Sequence, residues 1–150
     1  MTFRSIGKNC TRNDGVEKTT GRAIFVADMK FPGMLHAKVL RSPYAHANIK
    51  GIDISEALKQ PGVFAVLTGE DVPGPFGGAI ADQYPIAKGK VRFAGEPVAV
   101  AVAVSERVAH EALKLVKVDY EPLPFAIYPK DAIAEGAPII HEKLMEYRVA

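Results

Sequence analysis

The sequence predicts a mixed α/β (α+β) fold, in which short strands alternate with a few short helices. Residues 97–104 read PVAVAVAV, a pattern typical of a strand with larger side chains on one face and small ones allowing close approach on the other. An amphipathic stretch follows at residues 105–115, and residues 116–120 alternate again. This succession predicts a β-α-β unit, which is a right-handed crossover if its two strands are parallel.

Composition and charge agree with an ordinary globular domain of 150 residues, 48% of them hydrophobic. The net charge is +2 with the two signs interleaved, so no nucleic-acid partner is expected. There is no secretory signal, and residues 97–104 are far shorter than the ~20 residues that span a bilayer, so no membrane span is expected. The single cysteine, Cys10, cannot form a clustered-thiolate metal site and favours a cytoplasmic location.

The first half of the chain begins with a polar, turn-rich segment, residues 1–33, which we predict to be an extended arm. Strands are predicted at residues 34–40 and 48–54. Ser55 then caps a short helix that ends before Pro61-Gly62. Residues 63–68 read VFAVLT and predict a buried strand.

The second half begins with a glycine- and proline-rich stretch, residues 69–89, which predicts a long surface loop. Ser105 is the expected N-cap of the following helix. The helix buries an apolar face made of Val108, Ala109, Ala112 and Leu115. Residues 125–150 are predicted to be irregular, with one short helix near residues 130–134.

No motif for nucleophilic catalysis or metal binding stands out. Cys10 has no histidine at a spacing that would bring a base to it, and the four histidines form no zinc-binding pair. His36 is expected to pack within a strand, and His110 to lie on the solvated face of a helix. The glycines of residues 74–78 precede no helix that could bind phosphate, so a flexible loop is favoured.

Two segments carry more functional groups than a simple turn requires. The first is the bend at residues 41–47, which reads RSPYAHA. Its candidate contact residues are Arg41, Ser42, Tyr44 and His46. The alternative is a capped loop in which Arg41 pairs with a local carboxylate.

The second segment is the turn at residues 91–98, which reads VRFAGEPV. Its candidate contact residues are Arg92, Gly95 and Glu96. Gly95 permits a positive φ, and Pro97 holds Glu96 in an extended conformation. A charged residue so close to a core strand needs a partner, and Arg92 is the candidate. The alternative is a turn with a purely local ion pair.

These segments, in this order, resemble the a/b hammerhead domain that opens the large, molybdenum-binding subunit of the xanthine dehydrogenase and aldehyde oxidase family. The matching stretches span nearly the whole chain: DGVEKTTGRA at 14–23, Asp28 with PGML at 32–35, VLRSPYAHA at 39–47, PGV at 61–63, VRFAGEPVA at 91–99 and VDYEPLP at 118–124.

The resemblance implies hydroxylation chemistry on a molybdopterin cofactor, with electrons passing through 2Fe-2S clusters to FAD or another acceptor. In that family the cofactor-binding motifs and the catalytic glutamate come later in the chain. We therefore expect no catalytic, cofactor or metal residue in this chain. Its expected partners are a molybdopterin-binding domain and, further away, iron–sulfur and FAD subunits.

The resemblance also implies three regions: the arm at residues 1–33, a hammerhead core at 34–124, and a segment at 125–150 leading toward an absent molybdopterin-binding domain. Because family subunits are several times longer, we expect an excised or truncated chain that is inactive alone. The predicted function is a non-catalytic scaffold domain of a molybdenum hydroxylase. A free-standing interaction module is the first alternative. The second is a small-molecule binder that uses the glycine-rich loop as a lid.

Overall fold

The computed structural model describes residues 6–7, 9, 11–78 and 81–142, and divides into two compact units, Met1–Met34 and Leu35–Ala150. In the first unit a five-residue helix, α1 (Gly15–Thr19), follows the predicted turn at residues 13–15. The Thr19 hydroxyl donates to the carbonyl of Gly15. Several bulky apolar side chains of this unit are exposed, Phe25 and Phe31 among them.

The second unit contains the predicted elements, most of them within two residues of their expected bounds. They are β1 (His36–Arg41), β2 (Ala47–Asp53), α2 (Ser55–Lys59), β3 (Val63–Thr68), β4 (Lys90–Val91), β5 (Pro97–Ala103), α3 (Glu106–Leu115), β6 (Lys117–Pro122) and α4 (Pro129–Ala132). No helix among the described residues is long and apolar enough to cross a membrane.

The strands form two three-stranded antiparallel sheets, with the orders β1-β5-β3 and β4-β2-β6. The mixed α/β class is therefore confirmed. The predicted β-α-β succession is present as β5, α3 and β6, but its two strands lie in different sheets, so the condition for a parallel crossover is not met. Ile52 and Val118 pack against both hydrophobic clusters and so join the two sheets.

The central strand β5 has two different faces, as the Val–Ala alternation predicts. Ala99 and Ala101 are fully buried and belong to one cluster with Ala112 and Leu113 of α3, so small side chains let the helix approach the sheet. On the opposite side, Val100 pairs with Val39 of β1 and Leu67 of β3. We call the side formed by Val39, Leu67, Val100 and Val102 the valine face.

Helix α3 begins at the predicted cap, because the Ser105 hydroxyl accepts a hydrogen bond from the Val108 amide at 3.3 Å. One predicted core position is wrong: Leu115 is exposed, and Leu113 is buried instead. The buried stripe follows the spacing 109, 112, 113, 116, which places residue 115 off its centre. His110 is exposed, as expected.

Two local predictions in the first half are also wrong. Ser55 does not cap α2; it is the first helical residue, and the Asp53 carboxylate accepts its amide instead. Strand β3 is present, but only Val66 is buried, and Phe64 is 74% exposed where a register shift interrupts the pairing with β5.

The long loop is closed at its base by a close backbone approach. A Cβ added to Gly69 would lie 2.2 Å from the carbonyl oxygen of Ala87, so no side chain fits there. Within the loop, Phe76 and Gln83 form an isolated antiparallel bridge. The loop thus carries some order of its own.

Candidate interdomain contact site

The bend at residues 41–47 and the turn at 91–98 lie side by side. The Ser42 amide donates to the Glu96 carbonyl at 2.9 Å, and the Gly95 amide donates to the Ser42 carbonyl at 2.8 Å. These bonds extend the pairing of β1 with β5 beyond Arg41 and Pro97. Gly95 has a φ of +88°, the positive value predicted for it.

Arg41 fastens the two segments together from the exposed side. Its Nη1 donates to the carbonyl of Gly95 at 2.8 Å. The alternative in which Arg41 pairs with a local carboxylate is therefore wrong. A guanidinium suits this contact because it donates in a fixed plane to an acceptor that the positive φ of Gly95 turns outward.

Glu96 is buried, with 4% of its surface exposed. Its carboxylate accepts the Arg92 backbone amide at 2.5 Å, whereas the Arg92 guanidinium points to the Lys90 carbonyl at 3.4 Å. The predicted ion pair between Arg92 and Glu96 is therefore wrong. The turn brings Glu96 back over the Arg92 amide, which is the nearest donor and needs no ordering of a long side chain.

His46 ties the bend to the chain that leaves β6. Its Nδ1 lies 2.7 Å from the carbonyl oxygen of Pro124, and the Leu123 amide donates to its own carbonyl at 2.9 Å. Its Nε2 is buried and has no hydrogen-bond partner in the described part of the chain. Sequence reasoning missed this link, since Pro122 and Pro124 indicate only where a strand ends.

Tyr44 and Tyr120 form the aromatic part of the site, with ring centroids 5.1 Å apart and planes tilted by 55°. The Ser42 hydroxyl is held within the bend by the backbone of Tyr44. Burial raises the pKa of the Tyr120 phenol above its usual value. Sequence reasoning missed Tyr120, although its alternating strand pattern placed it on one face of β6.

A cavity of about 340 Å³ opens beside the turn. Its lining includes three aromatic rings and four polar or charged side chains: Phe76, Tyr84, Phe93, Asp82, Arg92, Glu96 and His141. His141 Nδ1 lies 3.5 Å from the Asp82 carboxylate. Sequence reasoning missed the loop residues and His141, because residues 76–84 and 141 are far from the turn along the chain.

The described residues do not fit a molybdenum or iron–sulfur group. No three His, Cys, Asp or Glu side chains in residues 11–78 and 81–142 are grouped to hold a metal ion. At Gly74 and Gly78 an added Cβ would meet nothing within 4 Å, so these glycines do not form a close cradle for phosphate or pterin. Cys10 lies outside the described residues. We derive no redox step through this chain.

A family model described as "Aldehyde oxidase and xanthine dehydrogenase, a/b hammerhead domain" matches residues 20–124. The chain belongs to this family. The hammerhead chain is 41% identical to a probable xanthine dehydrogenase of Bacillus subtilis, over 87% of its own length and 18% of that protein. It is 39% identical to the carbon monoxide dehydrogenase large chain of Afipia carboxidovorans, over 93% and 18%.

Solved structures agree with this family. The structure of a Cu,Mo-containing CO dehydrogenase matches with a TM-score of 0.85 and 40% identity, over 92% of this hammerhead chain and 18% of that one. The chain thus spans about a fifth of the length of these relatives. The relatives are molybdenum-family oxidoreductases, so the resemblance seen in the sequence is confirmed.

Proposed function

We propose that this chain is a non-catalytic scaffold domain of a molybdenum hydroxylase, packing on the molybdopterin-binding domain of the large subunit. In this proposal the arm is residues 1–33, the hammerhead core 34–124, and residues 125–150 lead toward the molybdopterin-binding domain. Iron–sulfur and FAD subunits are further partners, and the assembly is cytoplasmic. The cofactors would supply the redox chemistry from those partners, and the isolated chain would be inactive.

The valine face is the observation that carries this proposal. A strand that is apolar on both sides normally lies between two covering layers. Helix α3 covers the alanine side of β5, but Val39 and Leu67 on the valine side are 39% and 38% exposed. The missing second layer is what a partner domain would supply.

The contact site supports the same proposal from a second direction. Its buried groups serve mainly to fix the bend, the turn and the exit of β6 as one rigid edge. A rigid edge with exposed Arg41, Tyr44 and Phe93 side chains is suited to docking, because little further ordering is needed on binding.

The test is to recover the chain from its native cell under non-denaturing conditions at low salt, and to assay molybdenum and iron in the same fraction. We expect a large metal-bearing partner, or a longer polypeptide that begins with this chain. Recovery of the chain alone and metal-free would contradict the proposal and favour a free-standing interaction module. A small molecule that raises the melting temperature would instead favour the lid hypothesis.

A matched pair of variants tests the valine face itself. Leu67→Ser should lower the recovered partner and metal at least tenfold, because it places a hydroxyl in an apolar interface. Leu115→Ser is the control, since Leu115 is equally exposed on α3 but outside the valine face. Equal losses for both variants would count against the valine face as the docking surface.

A further inference from the structure

We propose that the cavity beside the turn receives a basic side chain, Arg or Lys, from the neighbouring polypeptide of the assembly, and that this cation neutralises Glu96. This inference rests on the proposed function, because it needs a partner. It adds the chemistry by which that partner is recognised.

The first observation is the burial of an uncompensated carboxylate. Glu96 is 4% exposed, and among the described residues only the Arg92 backbone amide bonds to its carboxylate. A buried carboxylate is costly unless it is paired with a cation as well as hydrogen-bonded. The hydrogen bond is present, and the cation is the missing part.

The second observation is that the nearest cations of the chain are engaged elsewhere. Lys90 pairs with Glu142, and the Arg92 guanidinium points to the Lys90 carbonyl. No salt bridge to Glu96 is formed in the described part of the chain. The charge on Glu96 is thus directed to a group that this chain does not supply.

The third observation is the lining of the cavity. Asp82 adds a second carboxylate, and Phe76, Tyr84 and Phe93 add aromatic rings. Carboxylates together with aromatic faces attract a guanidinium or ammonium group and cover its methylene stem. At about 340 Å³ the cavity is at the lower end of the range for ligand sites, roughly 300–1,000 Å³, which suits one inserted side chain.

The identity of the occupant is tested by photo-crosslinking in the assembly purified from native cells. A benzophenone amino acid replaces Phe93 at the cavity or, as the control, Leu115 on α3. We expect Phe93 to crosslink to a partner peptide that contains Arg or Lys at the site of attachment. A crosslink to a peptide without a basic residue would overturn the proposal.

The role of the charge is tested by Glu96→Gln, which keeps an acceptor for the Arg92 amide. Losing one partner of a buried charge pair at an interface costs enough to weaken association about thirtyfold or more. At the same time the unassembled variant should melt no lower than the unassembled parent chain, because an uncompensated buried charge is removed. Glu121→Gln, an exposed glutamate paired with Lys50, is the matched control and should change neither result.

Arg92 is the internal competitor, and Arg92→Met decides its part. If the Glu96→Gln effect on assembly persists in the Arg92→Met background, the cation comes from the partner. If that effect disappears, or if Glu96→Gln leaves assembly unchanged, the proposal is wrong even where the metal-bearing partner is still recovered. Recovery without any partner would overturn this inference together with the proposed function, and is read from the parent chain alone.

Discussion

Three buried polar residues, Ser42, His46 and Glu96, organise the contact site, and each one satisfies a backbone group of a different segment. His46 holds the Pro124 carbonyl, and Glu96 holds the Arg92 amide. A buried backbone group left unpaired costs about 1–3 kcal/mol, so these side chains fix the path of irregular chain where no ladder is available. Their function in this unit is positional.

Tyr120 gives a prediction for alkaline pH. Burial raises its pKa, so the neutral phenol is favoured in the folded chain. As pH rises above the unfolded pKa, the unfolded chain loses this proton first, and stability falls until the folded pKa is passed. We expect one tyrosine to titrate above the others by absorbance, and Tyr120→Phe to reduce the alkaline loss of melting temperature. Identical alkaline melting profiles for the variant and the parent would contradict the assignment.

The long loop provides a prediction at the scale of the element. Gly69→Ala should destabilise the chain by about 1–3 kcal/mol, because the added methyl collides with the Ala87 carbonyl at the base of the loop. Gly78→Ala is the matched control, since its Cβ meets nothing within 4 Å. Urea denaturation of both variants measures the difference. Equal midpoints would mean that the loop base yields without cost.

The strands and the capped helix were predictable because their signals are local. The Val–Ala alternation predicts both faces of β5, and Ser105 predicts the start of α3. The pairing of β5 and β6 with different sheets was not predictable, because it depends on contacts between distant strands. In the same way, the turn residues were identified, but the Arg92–Glu96 pair failed because local spacing cannot say which donor a folded carboxylate meets first.

The valine face gives a prediction for the whole molecule. An exposed apolar patch on an unassembled chain favours self-association. We expect the average mass of the purified chain to rise with concentration in sedimentation, and the rise to be smaller for Leu67→Ser than for Leu115→Ser. A constant monomer mass for the parent chain would indicate that the face needs no cover, and would support the free-standing module.

The two outer strands of the first sheet, β1 and β3, each carry a register shift, one between Leu40 and Arg41 and one between Val63 and Ala65. Such bulges bend a strand and leave a residue out of the ladder. A further strand added at either edge could not keep continuous pairing, which cross-β growth requires. The sheet can therefore expose an apolar face to a partner without its edges becoming templates for amyloid.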